Sequence, residues 1–408
     1  MDRPIPNKRK TLIQKTLTIL VIVVMMVSLG GCWNRRELDE LAIASILGLE
    51  KSDGKYHVSV SIINAGQIAQ KGGGAPGTRT PVTTYHAKAD TLFEAFRKLT
   101  TEVPRKIYFS QLRMVVIGEH LAKDGIEKSL DMISRDHEFR TDFYIVVTNG
   151  TTPDDVIDVL TPIEVIPGNK MFSSLKMSQK SWAGTLNVTL DELISALTSD
   201  GREAVLTGVM VKGDEKEAQT RENVERIDSL GYIKYSGIAA FKKGKLVGWL
   251  NEDESIGYNQ IQGKVKSTIV NVPCPKGKTA IEIIRTKATI KGRVENGRPK
   301  ITIDYWAEGN IGEVECPLDL TKTKTLYDQE IKTEQVIKEN MEKALRKAQK
   351  TLKADIFGFG EAIHRSNPKA WKDLKKNWDK EFADIKVEFK VDVKLRRTGT
   401  INNPFFKK

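Results

Sequence analysis

The 408-residue sequence is poor in the residues from which enzymes and metalloproteins draw their chemistry: five histidines, three cysteines and 7% aromatics. His57, His86, His120, His137 and His364 form no HExxH or HxxxH pair, and no cysteine lies near them at ligand spacing, so no metal set is read from the sequence. No Gly-x-Ser-x-Gly elbow occurs, and the carboxylates scatter without an acid/base couple. No catalytic or cofactor-binding residue is therefore assigned, and the expectation is a protein that is not an enzyme. Two glycine-containing stretches fall short of a phosphate cradle: Lys71-Gly-Gly-Gly-Ala-Pro-Gly-Thr78 lacks a closing Gly-Lys-Ser/Thr, and Lys276-Gly-Lys-Thr279 lacks the leading glycine. The net charge of +12 comes without a zinc finger or an aromatic-rich RNA-binding signature, so nucleic acid is not an expected partner.

What is present begins at the N-terminus. A basic start ending at Lys15 precedes the apolar run Leu17 to Val27, and Ser28-Leu29-Gly30-Gly31-Cys32 follows, in the order of a secretory signal. The run is short for a spanning helix, which needs roughly 20 residues. A cysteine placed at a new N-terminus can take a diacylglyceryl group on its sulfur and an acyl group on its α-amino nitrogen, and the chains add about 0.8 kcal/mol per buried CH2. Cys32 is thus the expected lipid attachment site, and residues 1–31 the expected signal peptide. An uncleaved anchor over Leu12 to Trp33 is the alternative. Both put the bulk of the chain outside the cytoplasm, because the positive charges precede the apolar run.

With 39% hydrophobic and 29% charged residues, the rest is globular and too long for one ordinary domain. The expected fold class is α+β, multi-domain, with mixed or antiparallel sheets and flanking helices. Three domains are expected: an N-terminal α/β unit over 32–200, a middle unit with a hairpin over 201–264, and a C-terminal α+β unit over 265–408. Ala42 to Leu49 and Tyr56 to Ile63 flank Asp53-Gly54, a hairpin signal. The glycine-rich stretch 64–81 reads as a mobile loop. Thr91 to Thr100 reads as a helix capped by Asp90, with Leu92, Phe93, Phe96 and Leu99 on one side. Ile107 to Ile117 and Phe143 to Val147 read as strands, and Ala122 to Ser134 as a helix.

Further along, Val205 to Lys212 is strand-like, and the charged stretch Gly213 to Ser229 reads as a solvated insertion. Tyr232 to Phe241 and Leu246 to Leu250 form a hairpin across Lys242-Lys-Gly-Lys245, after which Asn251 and Glu254 make a partial capping box. Val265 to Val272, Thr279 to Lys291 and Lys300 to Trp306 are strand-like, the last two joined by Glu295-Asn-Gly-Arg298. Asp328 to Ala354 is the clearest helix, with the apolar stripe Ile337, Met341, Leu345, Ala348 and Leu352. Glu334, Glu339 and Glu342 stand four residues before Lys338, Lys343 and Arg346 in the favourable orientation. Val387, Phe389, Val391, Val393 and Leu395 alternate with charged residues as a last strand facing the core on one side. Cys274 and Cys316 both lie beside prolines at strand ends. An exported domain permits a disulfide between them, and two buried free thiols remain the alternative.

Several fragments together resemble the Ger(x)C family of spore germination lipoproteins, the C subunits of nutrient germinant receptors. They are Gly31-Cys-Trp-Asn-Arg-Arg-Glu-Leu-Asp-Glu-Leu41, Gly248-Trp-Leu-Asn251, Ala307-Glu-Gly-Asn-Ile-Gly-Glu313 and Ala354-Asp-Ile-Phe-Gly-Phe-Gly-Glu361, then His364-Arg, Pro368, Trp371, Trp378 and Arg396-Arg-Thr-Gly399. The resemblance covers essentially the whole chain. It implies a three-domain protein of mixed helix and sheet on the outer surface of the spore inner membrane. It also implies two polytopic partners, one channel-like and one transporter-like, and no catalytic residue; whether this subunit touches the nutrient stays open. Only the lipid attachment carries over to a residue, Cys32.

The stretch Asp355 to Glu361 also has a physical reading. Gly358 and Gly360 would let the chain leave the long helix through positive φ, while Phe357 and Phe359 staple the exit to the core. A contact with the polytopic subunits is its functional reading. Trp371 and Trp378, seven apart, would share one helical face as core or interface anchors. Two other functions compete: a solute-binding lipoprotein of a transporter, which would need two doubly wound lobes around a cleft, and a wall-active hydrolase, which would need a pair of close carboxylates or a metal set.

Overall fold

The computed structural model describes residues 8–28, 37–66 and 80–397. Cys32 and most of the glycine-rich stretch, Lys71 to Thr78 included, lie outside the described residues. Helix α1 (Lys8–Ser28) carries the apolar run, and Leu12, Ile13, Leu17 and Leu20 on it are all exposed. Among the described residues no helix is both long and apolar enough to cross a membrane.

Strands β1 (Leu41–Ser52) and β2 (Lys55–Ile63) form the expected hairpin. Its turn residues Asp53 and Gly54 both have positive φ, 52° and 76°, the geometry that matches the natural strand twist. β3 (Val82–Ala89) pairs antiparallel with β2, and helix α2 (Leu92–Leu99) follows. Then come β4 (Lys106–Tyr108), β5 (Met114–Ile117), α3 (Glu119–Asp124), α4 (Glu127–Arg135) and β6 (Tyr144–Thr148). Three helices, α5 (Pro153–Ile157), α6 (Pro167–Ser181) and α7 (Leu190–Leu197), lead to β7 (Val205–Gly213). The short α8 (Glu222–Glu225) precedes the hairpin of β8 (Gly231–Lys242) and β9 (Lys245–Leu250).

These strands make one nine-stranded sheet in the order β3-β2-β1-β5-β6-β7-β8-β9, with β4 beside β1. β1, β5, β6 and β7 run parallel and form its centre, while antiparallel hairpins close both sides. Parallel neighbours need crossovers, and helices on both faces bury central strands completely. Ala44 to Leu49 is accordingly buried without a break, as is all of Met114 to Ile117. Leu47, Leu49, Val115 and Ile117 pack with Leu92, Leu121 and Leu130 on one face; Ile46, Met114 and Val116 pack with Ile157, Met171 and Leu175 on the other.

Helix α9 (Glu252–Ile261) starts with the Asn251/Glu254 capping box and leads to a second sheet. Its strands are β10 (Thr268–Cys274), β11 (Gly277–Glu295), β12 (Arg298–Val314) and β13 (Lys386–Arg397), in that order, antiparallel except for the β12–β13 pair. Between β12 and β13 lie the long α10 (Thr323–Arg346), a π turn over Lys347–Leu352, and α11 (Phe359–Ser366), α12 (Pro368–Leu374) and α13 (Trp378–Asp384). The expected stripe from Ile337 to Leu352 is buried throughout. The fold class is α+β, with two mixed or antiparallel sheets and flanking helices.

Several expectations need correction. Thr91, not Asp90, caps α2 by accepting the Glu94 N–H, and Phe93 points outward, 55% exposed. Ile107 to Ile117 is not one strand: a 3-10 turn at Phe109–Gln111 separates β4 from β5. Ala122 to Ser134 is two helices parted at Gly125, whose φ is 131°. The stretch 201–264 contributes β7, β8 and β9 to the first sheet, so its hydrogen bonding does not set it apart as a middle unit. The supposedly solvated insertion is pinned by Asn223, fully buried, whose amide donates to the carbonyls of Leu160, Ala218 and Gly231. The expected pairs Glu334–Lys338, Glu339–Lys343 and Glu342–Arg346 do not form along α10; Lys338 instead meets Glu342 at 3.9 Å, and Gln335 donates to Glu339. Glu334 and Glu330 accept the backbone N–H groups of Val393 and Leu395, and Lys343 pairs with Asp253 at 2.8 Å.

Candidate functional site

The stretch following the long helix is organised by one buried carboxylate. Lys353, left-handed at φ 50°, ends the π turn, and Asp355 then turns inward. One of its oxygens accepts the N–H groups of Gly358 and Phe359 at 3.0 and 3.1 Å; the other accepts those of Gly360 and the Trp378 indole, both at 2.9 Å. The carboxylate thereby satisfies the otherwise unpaired first turn of α11. Burial pushes its pKa up to about 6, against four hydrogen bonds that pull it down. Phe357 stacks on Phe359, which leans on Phe382, and Trp371 meets Trp378 edge to face at 5.1 Å.

This arrangement corrects the expected helix exit. Gly358 does take positive φ, 75°, but Gly360 lies inside α11, where its lack of a side chain admits Gly201. A Cβ on Gly201 would sit 2.6 Å from the Gly360 carbonyl carbon, and one on Gly360 would sit 2.6 Å from the Trp371 ring. The two tryptophans belong to separate helices, α12 and α13, and meet because the chain bends between them. Phe357 and Phe359 are buried, so the turn is not a surface open to another protein.

The same knot reaches the first sheet. Glu361 N–H donates to Gly201 O, Ser199 donates to the Glu361 carboxylate at 2.8 Å, and Glu203 N–H donates to Asp355 O at 2.8 Å. Residues 199–203 connect α7 to β7, so this stretch is the rivet between the two sheets. A second junction joins two other quoted fragments: Glu308 on β12, 7% exposed, is held between Arg396 and Arg285.

The remaining candidate residues are dispersed. Cys274, ending β10, and Cys316, after β12, are brought together with Cα atoms 6.4 Å apart, within the span a disulfide bridges. A cleft of about 680 Å3 opens beside α6, β8 and β9, lined among others by Lys170, Trp182, Tyr235 and Glu252. Lys170 donates to Ile233 O at 3.0 Å, and burial lowers its pKa. Glu252 accepts the Trp182 indole at 2.7 Å and Glu254 closes the Asn251 cap, so both carboxylates of this cleft have structural partners.

One cluster was not foreseen. His57 on β2, His86 on β3 and Asp154 at the start of α5 place one nitrogen or oxygen each within 4.8 Å of one another. Burial lowers the His57 pKa and the Asp154 carboxylate opposes it. Sequence spacing cannot reveal such a set, because it depends on the β2–β3 register across a long connection.

Comparison with known proteins bears on the whole chain. Residues 34–211 match the family model described as spore germination protein N-terminal domain, and residues 236–399 the one described as spore germination B3/GerAC-like, C-terminal. The chain is 33% identical over 401 residues to spore germination protein KC of Bacillus subtilis (strain 168), covering 96% of this chain and 98% of that one. This chain belongs to the GerAC-like family of spore germination proteins.

Other GerAC-like relatives are spore germination protein B3 and spore germination protein A3 of the same organism, at 24% and 25% identity and at least 93% coverage of each chain. The crystal structure of the GerBC protein superposes with a TM-score of 0.55 over 86% of this chain and 96% of that one; at 18% identity it speaks for the fold alone. The first match ends at 211, within β7, and the second begins at 236, within β8, so the gap between them falls inside the first sheet.

Proposed function

We propose that this chain is the lipid-anchored C subunit of a spore nutrient germinant receptor, a non-enzymatic part that docks on two polytopic subunits, one channel-like and one transporter-like, at the outer surface of the spore inner membrane. The observation that carries this reading is the end-to-end similarity to spore germination protein KC. The signal-like order of charge, apolar run and Leu29-Gly-Gly-Cys32 supports the anchor, as do the exposed apolar side chains of α1. Anchoring confines the folded part to the membrane surface, which raises its effective concentration towards any membrane partner. The riveted sheets support a scaffold that presents a fixed surface.

The test is a detergent pull-down of tagged protein from spore inner membranes, comparing wild type with Cys32→Ala by mass spectrometry. Recovery of two co-encoded polytopic proteins, weakened in Cys32→Ala spores, is the expected result. Recovery of a transporter permease and ATPase would instead favour a solute-binding lipoprotein.

A further inference from the structure

We propose that His57, His86 and Asp154 form a binding site for one divalent transition-metal cation, of zinc-like preference, at the edge of the nine-stranded sheet. The register of β2 against β3 pairs Ser59 with His86 and His57 with Lys88, so the two imidazoles stand diagonally on adjacent strands. His57 and Ser59, two apart on β2, share a face, and Asp154 reaches that face from the start of α5.

Distances carry the argument. His57 Nε2 and His86 Nδ1 each lie 3.6 Å from the same oxygen, Asp154 Oδ2. That is too long for a hydrogen bond. It is close to the separation, about 3.4 Å, of two ligands on a tetrahedral ion with bonds of about 2.0–2.1 Å. The other carboxylate oxygen, Oδ1, accepts the hydroxyl of the buried Ser59, which fixes Asp154 with Oδ2 turned to the imidazoles. Ser59 is thus the outer-sphere support that metal-ligating carboxylates commonly have. Ser59 Oγ also lies 3.1 Å from His86 Nδ1.

Access and charge agree with this role. The three side chains are 20%, 41% and 31% exposed, so an ion can enter from solvent and a water can complete its coordination. Asp158, held by Thr84 at 2.6 Å, adds negative charge behind His86, and Lys88 is the opposing cation nearby. Two imidazoles with one carboxylate favour zinc, cobalt or nickel over magnesium or calcium, which take oxygen ligands. A bound ion would tie the edge strand β3 to the helix that packs on the sheet.

The test uses the full chain, purified in detergent without a histidine tag, stripped with EDTA and titrated with Co2+. The visible absorption reports tetrahedral cobalt, and zinc is then added in competition. One equivalent of cobalt with a tetrahedral spectrum, displaced by zinc and not by magnesium, is expected for the wild type. The spectrum should be lost in His86→Ala and Asp154→Asn and weakened about 10-fold in affinity in Ser59→Ala. Circular dichroism of the metal-free variants, unchanged from wild type, separates lost ligands from lost fold. Absence of a saturable cobalt spectrum in the wild type, or a spectrum that survives both ligand substitutions, overturns the proposal.

Discussion

The carboxylate of Asp355 accepts the indole N–H of Trp378 at 2.9 Å while holding three backbone N–H groups at the start of α11. All four partners are donors, so an amide is not a conservative replacement. Asp355→Asn turns an NH2 group towards donors and leaves some of them unpaired in the core. It should cost about 3 kcal/mol at about pH 4, read as a shift in denaturant midpoint. Trp378→Phe, which removes one donor, should cost less.

The same residue sets a pH dependence. Burial carries its pKa from 3.8 to about 6 in the folded protein, so the folded state holds this proton more tightly than the unfolded chain does. The contribution is full below 3.8 and is lost as pH rises through about 6. The stability of wild type relative to Asp355→Asn should therefore fall between pH 4 and 6, by up to about 3 kcal/mol. A difference that stays flat with pH would contradict this account.

Asn223 makes a prediction about one segment. Its amide faces three carbonyls and its oxygen accepts the Gly231 N–H, so Asn223→Asp would turn an acceptor towards acceptors. The loss should be about 3 kcal/mol or more. Limited proteolysis should then cut within 214–230 well before the rest of the chain.

The cysteine pair can be decided directly. If Cys274 and Cys316 are bonded, as we propose, a 42-residue separation implies about 4 kcal/mol of stabilisation. A non-reduced digest should yield one peptide carrying both residues. Alkylation of both thiols in non-reducing denaturant would rule the bond out.

Much of the local structure followed from the sequence. Asp53-Gly54 and Asn296-Gly297 mark hairpins because both turn residues take positive φ, as they do here. The stripe from Ile337 to Leu352 marks the core face of its helix because its spacing follows the helical period. Strand order was beyond reach: nothing in the composition of β1, β5, β6 and β7 says that they lie parallel at the centre of one sheet, and so the separate middle unit was expected. The candidate sites failed for the same reason. His57, His86 and Asp154 meet through pairing register, and while the stretch Asp355 to Glu361 stands out in the sequence, nothing in it marks Asp355 as the buried acceptor of four donors. The positive φ expected of Gly360 does not occur; its lack of a side chain makes room for the Gly201 backbone instead.

Ser199 and Glu361, hydrogen-bonded beside the contact of Gly201 with Gly360, are 162 positions apart. The rivet therefore closes only after nearly the whole chain has been synthesised, and until then the first sheet waits for helices encoded close to the C-terminus. Such a long-range closing contact slows folding. If the chain is exported, as we propose, it passes a translocation pore as an open thread and that delay is useful: the lock is encoded late, so the molecule sets on the far side of the membrane.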